Sequence, residues 1–229
     1  MRRSPLRVRH SLKAAVGYVG LLIAGIAALL LPAYTVIVKL IGLAAIKLAT
    51  LDPAGMGIEM EANKPGWYDA LNGLPGLLGS GLPATFELIR LLRFIHDALT
   101  AAPVPAIDLP EEISDLLMAL AAALDAYDQA VSHARDFAFW DAAAAAREHY
   151  RAAVHLGFSG QLDQRPVADL AALVVRFAAK LADGVDRAAA LHDGLPPTYL
   201  RFNAAAYDLL PAVADDAPRP VRVTAFDPV

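Results

Sequence analysis

The sequence predicts an all-α protein: a hydrophobic N-terminal helix, helices around a glycine-rich loop, and a long antiparallel helical hairpin. Three observations carry that expectation. Ala14 to Val38 contains no charged side chain. Two later stretches repeat apolar residues at alternating steps of four and three. After the uncharged run and before both repeats lies Glu59 to Gly81, rich in glycine and holding Trp67. Loops of that composition carry chemistry, whereas the alanine-rich helices around it carry packing.

The first 50 residues read as a basic head followed by an apolar helix. Arg2, Arg3, Arg7, Arg9 and Lys13 precede the uncharged run, and every acidic residue lies from Asp52 onward. A helix needs about 20 apolar residues to span a bilayer core, and the basic cluster fits the positive-inside rule. Residues 14–38 therefore predict a membrane anchor. The alternatives are a buried helix interrupted by Pro32 and extended through Thr35–Ala49, which leaves the chain cytoplasmic, or a cleaved signal. The acidic body argues against a nucleic-acid partner, since phosphate contacts need clustered Lys and Arg. The absence of cysteine excludes disulfides, thiolate zinc sites and cysteine nucleophiles.

Residues 51–105 form the second region. Asp52-Pro53 with Gly55 and Gly57 breaks the helix. Ile58-Glu59-Met60-Glu61 alternates, placing Glu59 and Glu61 on one face if extended. Helix returns at Thr85, with Phe86, Ile89, Leu92, Phe94, Ile95 and Leu99 as its apolar face, and ends before Pro103.

Residues 106–195 form the hairpin. Asp108 is the expected N-cap, Pro110 falls in the first turn, and Glu111 and Glu112 suit the positive end of the helix dipole. Ile113, Leu117, Leu120, Leu124, Tyr127, Val131, Ala134 and Ala138 mark one seam. Val167, Leu170, Val174, Phe177, Leu181, Gly184, Ala188 and Leu191 mark the other. Asp163 is its expected cap and Gly194 its stop. Joined by Gly157–Arg165, the two seams predict coiled-coil packing and a surface for a helical partner. Residues 196–229 read as a short helix over Tyr199–Leu210, then a strand over Val221–Phe226 without a visible partner. The chain thus reads as stopping within a domain.

Gly66-Trp67-Tyr68-Asp69-Ala70-Leu71-Asn72-Gly73 resembles the Trp-Asn-Asp-Gly-Met-Asn loop of cellobiose phosphorylase and its relatives, with Trp67, Asp69 and Asn72 on the matching positions. The run from Ala44 through Phe94 is similar to the equivalent segment of large bacterial cellobiose phosphorylase-like proteins. Tyr68 stands where the family has Asn. The resemblance implies part of an (α/α)6 barrel, with helices too few to complete it, and so a fragment incomplete as a catalyst. It implies that Asp69 is the general acid of an inverting glycoside phosphorylase acting on a disaccharide or oligosaccharide, with inorganic phosphate as co-substrate and no other cofactor.

Such an acid must be protonated at neutral pH, through burial or a neighbouring carboxylate. Glu59 and Glu61 are the nearest candidates, and either is a candidate base if the reaction is hydrolysis. Trp67 and Tyr68 offer flat faces to a sugar ring, and Asn72 offers a donor and an acceptor. The bland alternatives are a core Trp beside a turn and an Asp–Asn turn pair. His133, His149 and His155 lack zinc-ligand spacing, so no metal is expected. Arg147, Glu148 and Arg151 read as a solvated helix face. The competing function is a membrane-anchored helical interaction protein without catalysis; a further one is a sugar-binding module without turnover.

Overall fold

The computed structural model describes residues 36–60, 78–131, 134–211 and 219–228. The chain divides into two compact units, 1–40 and 41–229. Of the first, residues 36–40 are described; they open helix α1, which runs over residues 36–48. The second unit holds β1 (Ile58–Glu59), β2 (Leu78–Gly81), α2 (Leu82–Thr100), β3 (Ala106–Pro110), α3 (Glu111–Gln129), α4 (Arg135–Ala153), β4 (Leu162–Pro166), α5 (Val167–Leu191), β5 (Tyr199–Leu209) and β6 (Val221–Pro228).

The fold is therefore not all-α, and the expectation of a partial helical toroid is corrected. Two antiparallel sheets stand beside the helices: a four-stranded one in the order β1-β2-β5-β6, and the pair β3-β4. The reason lies in short strands bounded by proline, which helical periodicity does not detect. In β3, Ile107 and Leu109 are buried while Asp108 is exposed, the period-two signature of a strand. Asp108 is thus a strand residue and not a cap. Asp163 likewise lies in β4, where it accepts from the Ser114 hydroxyl at 2.7 Å. Glu111 N–H to Gln161 O and Val167 N–H to Pro105 O extend this ladder at either end.

The expected long hairpin is also replaced. The first seam holds from Ile113 to Tyr127, all buried, but Val131 is fully exposed. The helix stops at Gln129 and a second begins at Arg135, so α3 packs on α4 and α5 packs on α2. The second seam is buried from Val167 to Ala188. A seven-residue repeat marks which face is buried, not which helix covers it. Two sevenfold runs facing each other as a coiled coil are not what forms. In α2 the buried face is Leu82, Thr85, Leu88, Ile89, Leu92, Ile95 and Leu99, with Phe86 and Phe94 turned outward.

Tyr199–Leu209 is a strand rather than a helix, and it supplies the partner that Val221–Phe226 lacked. β5 pairs with β6 through a register shift near Ala206, and with β2 on its other side. Leu200 and Phe202 bury against Met56, Leu82 and Ala188, with Ala54 and Phe226 packed alongside. Gly194, at φ +84°, ends α5 as expected, its N–H bonding Ala189 O.

Among the described residues no helix is long and apolar enough to cross a membrane. Residues 14–35 lie outside the described part, and α1 carries exposed Lys39 and Lys47 around a buried face of Ile41, Ala44, Ala45 and Leu48. The expected transmembrane helix is thus not supported.

One close approach fixes the site's surroundings. A Cβ at position 184 would overlap the Gly55 carbonyl and crowd the Met56 Cα, so α5 admits the 54–57 loop only through glycine. Gly184→Ala is expected to lower stability by about 1–3 kcal/mol through overpacking, although alanine gains about 1 kcal/mol of helix propensity. Urea unfolding measures it, and an unchanged midpoint would refute the tight contact.

Candidate functional site

The described residues that flank segment 61–77 are neighbours in space. β1 and β2 pair as Ile58↔Gly81 and Glu59↔Ser80, and Met60 N–H bonds Gly79 O at 2.8 Å. On the far side of β1, Glu59 N–H bonds Thr50 O at 2.7 Å. The described residues on either side of 61–77 are thus held in one antiparallel pair. Trp67, Tyr68, Asp69, Asn72 and Glu61 lie outside the described residues.

Below this pair the chain turns around one carboxylate. Asp52 is buried and its Oδ1 accepts from Ala54 N–H and Met56 N–H, both at 3.0 Å. Its Oδ2 accepts from Gly57 N–H at 2.6 Å and from the Ser80 hydroxyl at 2.7 Å. Burial pushes this carboxyl above the ordinary aspartate range, while the hydrogen bonds from Met56, Ser80, Gly57 and Ala54 work against that shift. Sequence alone marks Asp52-Pro53 as a helix break. The acceptor role follows from a short acid before a tight turn, but the Ser80 bond ties the turn to β2 and has no local signal.

Glu59 is the described member of the predicted site set, and α4 claims it. Trp140 Nε1–H donates to its Oε1 at 2.5 Å, and Arg147 donates to its Oε2 at 3.2 Å. Arg147 also reaches Ala49 O at 3.2 Å. Side chains 59 and 147 are 13% and 15% exposed, so this pair is largely shielded from solvent. Arg147 is thus not part of a solvated face, whereas Glu148 and Arg151 are. With each oxygen accepting one of these bonds, Glu59 ties β1 to α4. Trp140 continues into an aromatic cluster with Phe137 and Phe226, at centroid distances of 5.3 and 5.7 Å.

A second polar cluster holds the 54–57 turn. Lys180 Nζ is 2.6 Å from Asp136 Oδ1, with a side-chain exposure of 1%. It lies 3.8 Å from the Tyr127 ring centroid and 5.0 Å from that of Phe139, a cation–π setting. Arg187 bonds both Asp136 oxygens at 3.1 Å and donates to the Ala54 and Gly55 carbonyls. Burial pulls the Lys180 ammonium below its ordinary value, and Asp136 opposes it. One sequence signal existed: Lys180 sits three after Phe177 and four before Gly184, on the buried face.

Among the described residues, no group of three or more His, Asp or Glu is placed to hold a metal ion. No protein-family model matches the chain, and no curated protein matches it.

Proposed function

We propose that the chain is carbohydrate-active, with loop 61–77 receiving a glycoside and Asp69 donating the proton that frees the leaving sugar. The observation that supports this reading is the Trp67–Asp69–Asn72 motif in a segment flanked by the paired strands β1 and β2.

In the proposed step the Asp69 carboxyl protonates the glycosidic oxygen as the bond from that oxygen to the anomeric carbon breaks. Inorganic phosphate attacks the anomeric carbon from the opposite face, giving a sugar 1-phosphate with inverted configuration and a shortened sugar. Trp67 and Tyr68 stack on ring faces, and Asn72 bonds hydroxyls. Phosphate brings its own negative charge, so no second carboxylate is needed as base; this agrees with a Glu59 already engaged by Trp140 and Arg147.

The test incubates the chain with β-linked disaccharides, with and without inorganic phosphate, and quantifies sugar 1-phosphate and free sugar. Asp69→Asn is expected to slow release by about 10²–10⁴-fold, the range for losing a general acid. Equal rates for the two proteins, or no release by the native chain, would overturn the assignment.

A further inference from the structure

Independently of that reading, a cleft of about 290 Å³ is bounded by the last turns of α3, the first residue of α4 and the middle of α5. Tyr127 lines it, and the Tyr127 ring joins two opposite charges. The Arg135 guanidinium lies 4.4 Å from the ring centroid. The phenol hydroxyl donates to Asp183 Oδ2 at 3.5 Å. Arg135 and Asp183 both line the cleft, the first half-buried and the second exposed.

Arg135 is the cation left without an acid. Among the described residues its guanidinium makes no hydrogen bond or ion pair. Stacking on the ring engages the face of the guanidinium, so its N–H fork stays available at the edge. The other cations of the cleft are already met. Arg176 donates one terminal nitrogen to Asp125 and Asp128, at 2.7 Å each, and Lys180 is held by Asp136 at 2.6 Å. Asp183 Oδ2 also accepts from Arg187 at 3.1 Å, while its Oδ1 receives no hydrogen bond among the described residues.

The charges decide what kind of ligand suits this place. Arg135, Arg176 and Lys180 are balanced by Asp128, Asp136 and Asp183, so the cleft has separated charges and no net charge. A simple anion would meet Asp128 and Asp183, and a simple cation would meet Arg135 and Arg176. A zwitterion avoids both conflicts, since a carboxylate matches the guanidinium fork and an ammonium finds Asp183. The volume falls at the low end for ligand pockets, which run roughly 300–1,000 Å³, and so suits a small molecule.

We propose that this cleft binds a small apolar α-amino acid, its carboxylate held by Arg135, its ammonium by Asp183 and its side chain against Ala179 and the Tyr127 ring.

Titration of the ¹⁵N-labelled full chain with L-leucine tests it, followed by NMR through the backbone amides of Arg135 and of residues 176–183. Saturable shifts are expected. 4-Methylpentanoate lacks the ammonium and 3-methylbutylammonium lacks the carboxylate. Each should bind about tenfold or more weakly, the worth of a hydrogen bond to a charged group. Arg135→Gln should weaken L-leucine and 4-methylpentanoate by a similar factor and leave 3-methylbutylammonium unchanged, and Asp183→Asn should do the converse. Such selective losses separate a lost contact from a damaged fold. Ala179→Leu, at an exposed position, fills the cleft and should weaken all three. The proposal is overturned if L-leucine gives no saturable shift, if either single-charge analogue binds as tightly as L-leucine, or if Arg135→Gln and Asp183→Asn bind L-leucine as the native chain does.

Discussion

Asp136→Asn is expected to lower the free energy of unfolding by about 3–5 kcal/mol, the cost of leaving one member of a buried pair alone. Lys180 would then keep its ammonium between the Tyr127 and Phe139 rings with its hydrogen-bonded carboxylate gone and only the weaker influence of Asp183 to answer it. The reciprocal change should be milder. In Lys180→Met the Asp136 carboxylate retains Arg187 at 3.1 Å on each oxygen, so about 1–2 kcal/mol is expected, within the ordinary range for point substitutions. Thermal and urea unfolding of both variants checks the order, and a larger loss for Lys180→Met would refute the asymmetry. The pH dependence follows from the lowered Lys180 value. Between that value and the ordinary lysine value the unfolded chain holds the proton more tightly than the folded one. Stability contributed by Lys180 therefore rises with pH across that window, and the rise should vanish in Lys180→Met.

Asp52→Ala should cost a similar amount, about 3–5 kcal/mol, by a different route. It strips acceptors from three backbone N–H groups and the Ser80 hydroxyl at once, and each buried donor left unpaired costs about 1–3 kcal/mol before relaxation. Asp52→Asn should cost less, about 1–3 kcal/mol. Its carbonyl still serves Ala54 and Met56, its amide can donate to Ser80, and only the Gly57 N–H is left facing a donor. Equal losses for Ala and Asn would mean that the side chain fills space and does not organise the turn.

These two clusters also explain what the sequence could and could not disclose. The α2 face and the α5 seam were legible because burial along a helix is written in local spacing, from Leu88 to Leu99 and from Val167 to Ala188. The break between α3 and α4 was not, because residues 130–134 contain neither glycine nor proline. What distinguishes the turn is that it delivers Asp136 to Lys180 and Arg187, which are remote in sequence. β5 was misread for a related reason. Its middle, Asn203 to Ala206, is largely alanine and mostly exposed, so local propensity favoured a helix and pairing with β2 and β6 overrode it. At the candidate site, the motif residues and Glu59 could be picked out from the chain itself. The hold of Trp140 and Arg147 on Glu59 could not, since nothing local links β1 to the middle of α4.

The strand order has a consequence for how the molecule assembles. β2 finds its partner β5 only after α2, both small-sheet strands and three further helices have intervened. Closing so long a stretch of chain is entropically slow compared with forming the α3–α4 pair or the β5–β6 hairpin. The pairing of β2 with β5 therefore belongs to the last contacts made, after the nearer pairing of β2 with β1. The C-terminal hairpin's arrival closes the four-stranded sheet and seats Leu200 and Phe202 against Met56 and Leu82.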